Sequence, residues 1–295
     1  MVKNIKANRV IMAYLFLIPA LVFLLVFRFY PIIAGMILGF FSYDFLGNST
    51  YIGLANFQEA FTDRKFWLAM QHSVTYLLVV PFIQLLSILL AIMVNRKMRG
   101  GHIFRLAYYI PVVTSMVAVA ITWKWVLKSN GIINSILTNV GLLATPIAFL
   151  TSPELALYSV MFVTLWKGLG FYMVIYLAGL QAVPAGLEEV ARLDGAKTWQ
   201  VWLYITIPLL RPSILLCTVL SAMSALKVFD EIFIMTGGGP INSSLVASLY
   251  IYQTAFKDYR FGYAAALGFM LALVVGIFTI INFKFLGKGG ANRPQ

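Results

Sequence analysis

The feature that most limits what this chain can fold into is a series of long apolar runs, each about the length that crosses a hydrocarbon layer. A spanning helix needs about 20 mainly apolar residues. Six stretches qualify: Ile11 to Phe40, His72 to Val94, Ile103 to Leu127, Leu155 to Gln181, Pro208 to Met235 and Gly262 to Leu286. Of the 295 residues, 61% are hydrophobic and 11% are charged, whereas soluble domains carry about 25% charged residues. One soluble core could not hide that much apolar surface, so lipid must cover the rest. The expected class is an all-α membrane protein. Its six-helix bundle occupies residues 11–286, with short ends at 1–10 and 287–295.

Pro19, Pro31, Pro81 and Pro111 fall inside these runs. Proline removes a hydrogen bond from a helix ladder. In a membrane bundle, neighbouring helices and water can satisfy the freed carbonyl. The first run follows Lys3, Lys6 and Arg9. It is longer than the apolar core of a secretory signal, and no small-residue cleavage site follows, so it is expected to be retained. Arg28 is its only charge and is read as snorkelling near the outer end.

The net charge is +12. The basic residues lie between apolar runs rather than in one patch, and no nucleic-acid recognition motif accompanies them. Nucleic-acid binding is therefore excluded, and the charges are read as setting orientation. With the N-terminus in the cytoplasm, Lys3, Lys6, Arg9, Arg96, Lys97, Arg99, Arg105, Arg192, Lys197, Arg211, Lys284, Lys288 and Arg293 fall inside. Only Arg64, Lys65, Lys124, Lys128, Lys257 and Arg260 fall outside. This excess predicts that both termini are cytoplasmic. Phe66 with Trp67, and Trp123 with Trp125, suit an interfacial aromatic belt. Two outer loops are long. Ser42 to Met70 is polar and amphipathic. Thr236 to Phe261 turns apolar again over 245–256, which is short for a span and reads as re-entrant or interfacial.

One inner loop is unlike a linker. Pro184 suits the first turn of a helix, and Glu188 and Glu189 lie where the helix dipole favours acids. Leu187, Val190, Ala191 and Leu193 give a partly apolar face. Asp194-Gly195 supplies a turn, and a second helical stretch runs from Thr198 to Pro208. A water-exposed loop needs no apolar face. Either a partner's groove covers it, or it lies flat on the headgroups.

This segment resembles the EAA loop of permeases in binding-protein-dependent ABC importers. That pattern reads E-A-A, three residues, G, nine residues, I-x-L-P. Here it is Glu189-Val190-Ala191, Gly195 and Ile205-Thr206-Ile207-Pro208 at the same spacing. Val190 replaces the middle alanine and Ile207 the leucine. Tyr51-Ile-Gly-Leu-Ala-Asn-Phe57, Asn95-Arg-Lys-Met-Arg-Gly100, Trp166-Lys-Gly168, Leu177-Ala-Gly-Leu-Gln181, Asp194-Gly-Ala196 and Thr236-Gly-Gly-Gly-Pro240 resemble the carbohydrate branch, the maltose-type first permease subunit. The resemblance implies a six-span type I permease bundle whose coupling helix docks into a cytoplasmic ATPase. Glu188, Glu189, Ala191, Asp194, Gly195 and Ala196 would form that contact, with Glu189 anchoring it and Gly195 shaping it. The implied partners are a second homologous permease, two ATPase subunits, an extracytoplasmic solute-binding protein and the lipid bilayer. The implied place is a bacterial or archaeal cytoplasmic membrane.

No G-x-x-x-x-G-K-[ST] phosphate loop is present, so the chain does not hydrolyse ATP itself and its energy comes from a partner or from an ion gradient. The resemblance implies that ATP and Mg belong to the partner ATPase and that this chain is a transport subunit, not an enzyme. Cys217 is the single cysteine, and His72 and His102 lack ligand-like neighbours, so no metal site is expected. The expected cargo is a neutral di- or oligosaccharide. Glycerol phosphates are the alternative, although an anion would want an Arg or Lys cluster. Charges inside spans cost about 2.5–3.5 kcal/mol each and are functional suspects. Lys167 is either a donor in the path or the partner of a buried acid. Lys227, Asp230 and Glu231 form either a local i, i+4 ion pair or a gate that meets the binding protein, together with Gly237, Gly238 and Gly239. Sugar sites pair aromatic faces with polar groups, which makes Trp166, Lys167, Tyr172, Tyr176, Gln84 and Ser224 the path candidates. A secondary carrier would show inverted repeats, a channel a filter or an Arg-rich sensor, and a membrane enzyme an acid–base or metal cluster. None of these appears in the sequence.

Overall fold

The computed structural model describes residues 2–43, 49–95 and 101–286. In chain order the main chain forms α1 (Val2–Leu24), a widened π turn (Leu25–Phe29) and α2 (Tyr30–Leu38). A hairpin follows, of β1 (Phe41–Tyr43) and β2 (Ser49–Tyr51), then α3 (Ala55–Thr62), α4 (Arg64–Tyr76), α5 (Val79–Asn95), α6 (Gly101–Val113), α7 (Met116–Val126), α8 (Ile132–Asn139) and α9 (Ala156–Gln181). The inner excursion holds α10 (Ala185–Leu193), α11 (Thr198–Val201), a second π turn (Trp202–Thr206) and α12 (Ile207–Leu209). The chain ends with α13 (Arg211–Leu226), α14 (Asp230–Met235), α15 (Ala247–Phe256) and α16 (Phe261–Leu286). Arg96, Lys97, Arg99 and the tail 287–295 lie outside the described residues, as do the side chains of Lys3, Lys6 and Arg9.

Among the described residues, five stretches are long and apolar enough to cross a membrane: Tyr14–Leu38, Arg64–Asn95, Ala156–Gln181, Arg211–Met235 and Phe261–Lys284. The sixth expected span is not one rod. Ile103–Val113 and Met116–Val126 are bent by 98°. Pro111 stays inside α6, and the break falls after it. Ser115 takes an extended conformation with ψ 135°, as serine does ahead of a helix. Thr114 Oγ1 donates to Ile110 O at 3.0 Å, bonding back into the last turn of α6.

Both π turns sit directly ahead of a proline. The Tyr30 N–H bonds back to Leu25 O just before Pro31. The Ile207 N–H bonds back to Trp202 O just before Pro208. Proline's ring crowds the carbonyl four residues earlier and leaves it without a donor. Widening the turn by one residue moves that carbonyl aside. The π turn also contains Arg28, about 15 Å along the axis from Leu38 at 1.5 Å per residue.

The chain forms two compact units. The first comprises Met1–Asp63 and Ile251–Met270. In it, β1 and β2 pair antiparallel with Phe41 opposite Tyr51 and Tyr43 opposite Ser49. The buried amide of Asn56 donates to Gly39 O at 2.9 Å and Phe41 O at 3.0 Å, closing the carbonyls past the end of α2. Arg260 grips Glu59 with two bonds of 2.7 and 2.6 Å. At an exposed site such a pair contributes about 0–1 kcal/mol.

The second unit comprises Arg64–Tyr250 and Leu271–Gln295. Its centre is α9, which buries Ala156, Val160, Val163 and Met173 completely. Small residues let neighbours approach α9 closely, as membrane helices require. A Cβ on Gly170 would run into the Tyr108 carbonyl of α6, whereas one on Gly168 would meet the tip of Ile83 at 3.3 Å and the Tyr172 ring at 3.6 Å. The apolar stretch at 245–250 lies against protein: Leu245, Val246, Ala247 and Leu249 are fully buried. His72 Nδ1 lies 2.9 Å from Leu245 O, and the Ala247 N–H donates to Ser73 Oγ at 2.9 Å.

This packing predicts that Gly170→Val will pry α9 from α6 and lower stability by about 1–3 kcal/mol, the usual cost of overpacking. Thermal unfolding of the detergent-purified protein should show a clear drop for Gly170→Val and little change for Gly168→Ala.

Candidate functional site

A cavity of about 370 Å³ opens among the spans of the second unit. α5 contributes Val79, Val80 and Ile83; α6 and α7 contribute Val112 and Met116; α9 contributes Thr164, Lys167, Gly168, Phe171 and Tyr172. The fifth span adds Ser221, Ser224, Ala225, Asp230 and Glu231. The wall combines apolar surface and aromatic rings with hydroxyls and three charged groups. That mixture suits a small polar solute with apolar faces.

Of the path residues expected from sequence, Lys167, Tyr172 and Ser224 line this cavity. Gln84 and Tyr176 do not. Tyr176 OH donates to Gln84 Oε1, Gln84 Nε2 donates to Ser221 Oγ at 2.8 Å, and Ser221 Oγ donates to Cys217 O at 2.8 Å. This buried chain ties α9, α5 and α13 together and reaches the cavity wall at Ser221. Trp166 is absent from the lining and packs edge-on against Trp123, with ring centroids 5.3 Å apart. Thr164 and Ser221 escaped the sequence reading because one hydroxyl in an apolar helix carries no signal of which way it faces.

The expected pair of Lys227 with Glu231 is not made. Lys227 is the exposed C-cap of α13, and the helix breaks before Asp230 opens α14. The i, i+4 relation therefore does not apply. Glu231 instead reaches α9, where its Oε1 accepts from Thr164 Oγ1 at 3.2 Å. Thr164 Oγ1 stands 2.5 Å from Tyr76 OH. Lys167 Nζ makes one long bond, 3.4 Å, to Val112 O. Among the described residues no carboxylate lies within 4.0 Å of Lys167.

Beyond α14, Gly237 and Gly238 take left-handed φ of 62° and 91°, which favours glycine. Ser244 Oγ donates to Gly239 O at 2.6 Å. Gly239 also lines a separate cavity of about 480 Å³ with Lys124, Lys128 and Asn130.

The inner excursion folds as a helix with a fixed end. The Gly195 N–H bonds to Arg192 O at 3.1 Å, and the Ala196 N–H bonds to Ala191 O at 2.9 Å. Gly195 has φ 85°. This is a Schellman ending, with glycine in its left-handed position. Thr206 Oγ1, in the π turn, donates to Glu188 Oε1 at 3.2 Å, so Glu188 ties α10 to the next segment while Glu189 stays exposed. The apolar face is uncovered: Leu187 is 45%, Val190 56% and Leu193 83% exposed. Among the described residues no group of three or more His, Cys, Asp or Glu side chains is placed to hold a metal.

A family described as "Binding-protein-dependent transport system inner membrane component" matches residues 83–286. The lactose transport system permease protein of Rhizobium radiobacter is 34% identical, with 92% of each chain covered. The trehalose/maltose transport system permease protein of Thermococcus litoralis is 30% identical, with 95% of each covered. Among solved structures, a chain of a bacterial ABC transporter that imports the acidic polysaccharide alginate superimposes with a TM-score of 0.84 at 28% identity, covering 99% of both chains.

Gln84→Leu should strand the Tyr176 hydroxyl and lower stability by about 1–3 kcal/mol. Adding Tyr176→Phe should recover much of that loss, because no stranded polar group then remains. Unfolding temperatures of the two variants check it.

Proposed function

The chain belongs to the family of inner-membrane components of binding-protein-dependent transport systems, and from that premise we propose that it is a permease subunit of an ATP-driven importer for a carbohydrate. The observation that carries this reading is the exposed apolar face of α10, locked to the spans by Glu188 and Thr206. Three large apolar residues left in water on one short helix mark a protein-binding surface. An ATPase groove that accepts a helix would cover them. Glu189, exposed beside them, is the acid left free to meet that partner. Each Leu or Val buried there would contribute about 1.5–3 kcal/mol.

Energy then enters as motion. Closure of the ATPase pair displaces α10, and the displacement passes through the π turn and Pro208 into the fifth span. The population of outward- and inward-facing states follows whichever partner contacts each state makes best. A second permease would complete the path, and a solute-binding protein would deliver cargo at the outer loops, including Gly237 to Gly239. The Lys and Arg distribution supports both termini and α10 on the cytoplasmic side.

Relatives are named as transporters of lactose, of multiple sugars, of trehalose or maltose, and of alginate, which supports a carbohydrate cargo. The aromatic and hydroxyl lining beside Lys167 suits a sugar. Glycerol phosphates are disfavoured, because Asp230 and Glu231 share the cavity with its single lysine and no cationic cluster offsets them.

Two substitutions test the coupling surface. Leu193→Asp should weaken association with the ATPase at least ~10-fold, as loss of one buried leucine implies. Gly195→Val should do likewise by straining the left-handed position. Membrane levels of both variants should stay within about twofold of the parent, while sugar uptake falls. ATPase co-purification at the parent level in both variants would refute the assignment.

A further inference from the structure

Lys167 and Glu231 approach one cavity from different spans, and each has bonding capacity left over. An ammonium has three N–H donors, and a carboxylate has about four acceptor positions. Lys167 uses one donor in a long contact to Val112 O. Glu231 accepts from Thr164 Oγ1 and from its own backbone N–H, which leaves about two acceptor positions. No ion pair forms between them within 4.0 Å. Holding two such charges inside a membrane span is costly, and spare donors on Lys167 with spare acceptors on Glu231 in the lining of one cavity match a ligand that both donates and accepts. A vicinal diol has that chemistry. One hydroxyl oxygen accepts from the ammonium while its neighbour's O–H donates to the carboxylate. The Tyr172 and Phe171 rings on the same wall offer apolar surface to the C–H face of a sugar ring.

Charge adds a second consequence. Asp230 and Glu231 line the cavity together with Lys167, so carboxylates outnumber cations there. A sugar acid entering would place a third carboxylate beside the two that line the wall, and like charges repel. One solved relative belongs to an importer of an acidic polysaccharide, whereas the charge balance of this cavity favours a neutral cargo.

We propose that Lys167 and Glu231 clamp a vicinal diol of the transported sugar, and that Glu231 with Asp230 turns away sugars bearing carboxylates. This rests on the carbohydrate-import reading and assigns the substrate class that this site takes.

The test uses the assembled importer with its partner subunits. It is incubated with an equimolar mixture of neutral gluco- and galacto-oligosaccharides and of galacturonate and mannuronate oligosaccharides. Retained ligands are identified by mass spectrometry. The parent should keep neutral sugars and exclude uronates. Lys167→Met and Glu231→Leu should retain neutral sugar at least ~10-fold less, the loss expected when a buried charged group is left unpaired. Glu231→Gln keeps an acceptor oxygen without the charge. It should hold neutral sugar within about threefold of the parent and begin to hold uronates. Gel filtration confirms that each variant assembles, and Glu231→Gln keeps the test decisive if the leucine variant does not. Uronates on the parent, an empty parent, undiminished neutral binding in Lys167→Met and Glu231→Leu, or continued uronate exclusion by Glu231→Gln would each overturn the clamp. Cellular uptake of the neutral sugars separates the two levels of the reading. Uptake that needs this chain but not Lys167 or Glu231 leaves the importer standing and removes the clamp alone.

Discussion

Hydrocarbon offers no hydrogen bonds, so every polar group inside a span must find its partner within the protein. The arrangement of the bundle follows from that constraint. Tyr76 meets Thr164, and Thr164 meets Glu231. Tyr176, Gln84, Ser221 and the Cys217 carbonyl form a second chain. Each chain joins helices distant in sequence, and each would be costly to break in a medium without water. The prolines obey the same rule, since the widened turns ahead of Pro31 and Pro208 rearrange the carbonyls that proline cannot serve. Beside these chains, Lys167 and Glu231 keep bonding capacity at the cavity wall, each bonded to a protein group yet not to the other.

The inner excursion presents the inverse case. Water can satisfy its polar groups, so the anomaly there is apolar: Leu187, Val190 and Leu193 lie exposed on a helix with a rigid ending. The two anomalies lie along one continuous stretch of chain. From α10 the Glu188–Thr206 bond leads into the π turn, then through α13 to the break near Lys227 and on to Asp230 and Glu231. In the proposed reading, this span carries displacement from the ATPase contact to the substrate cavity. Its break lets the far end change angle without stretching the ladder of α13. That ordering also explains why a carboxylate pair sits just past the break rather than in the helix proper.

Much of the fold was legible in sequence because apolar run length is a direct physical requirement of the bilayer. The spans at Ala156–Gln181 and Phe261–Lys284 fall within a few residues of the expected limits. The bend between α6 and α7 was not legible. Pro111 advertised a kink, yet the chain turned at Ser115, whose main chain leaves the helical conformation with ψ 135°. The site was harder still. Lys167, Tyr172 and Ser224 face the cavity, while Gln84 and Tyr176, similar in kind, serve as struts. Residue type says which group can bind a sugar, but only packing says which way it faces. The ion pair expected of Lys227 and Glu231 failed for the same reason, since spacing implies contact only while the helix continues.

The most direct test of the account is disulfide cross-linking from α10. Cys217 is the only native cysteine and is buried, so Leu193→Cys in a Cys217→Ser background leaves one reactive position. Paired with cysteines along the ATPase groove in the assembled transporter, it should cross-link efficiently, with a preferred partner position that shifts when ATP binds. An intact transporter in which that thiol forms no cross-link, and reacts with a water-soluble maleimide as fast in the complex as in the isolated chain, would contradict it.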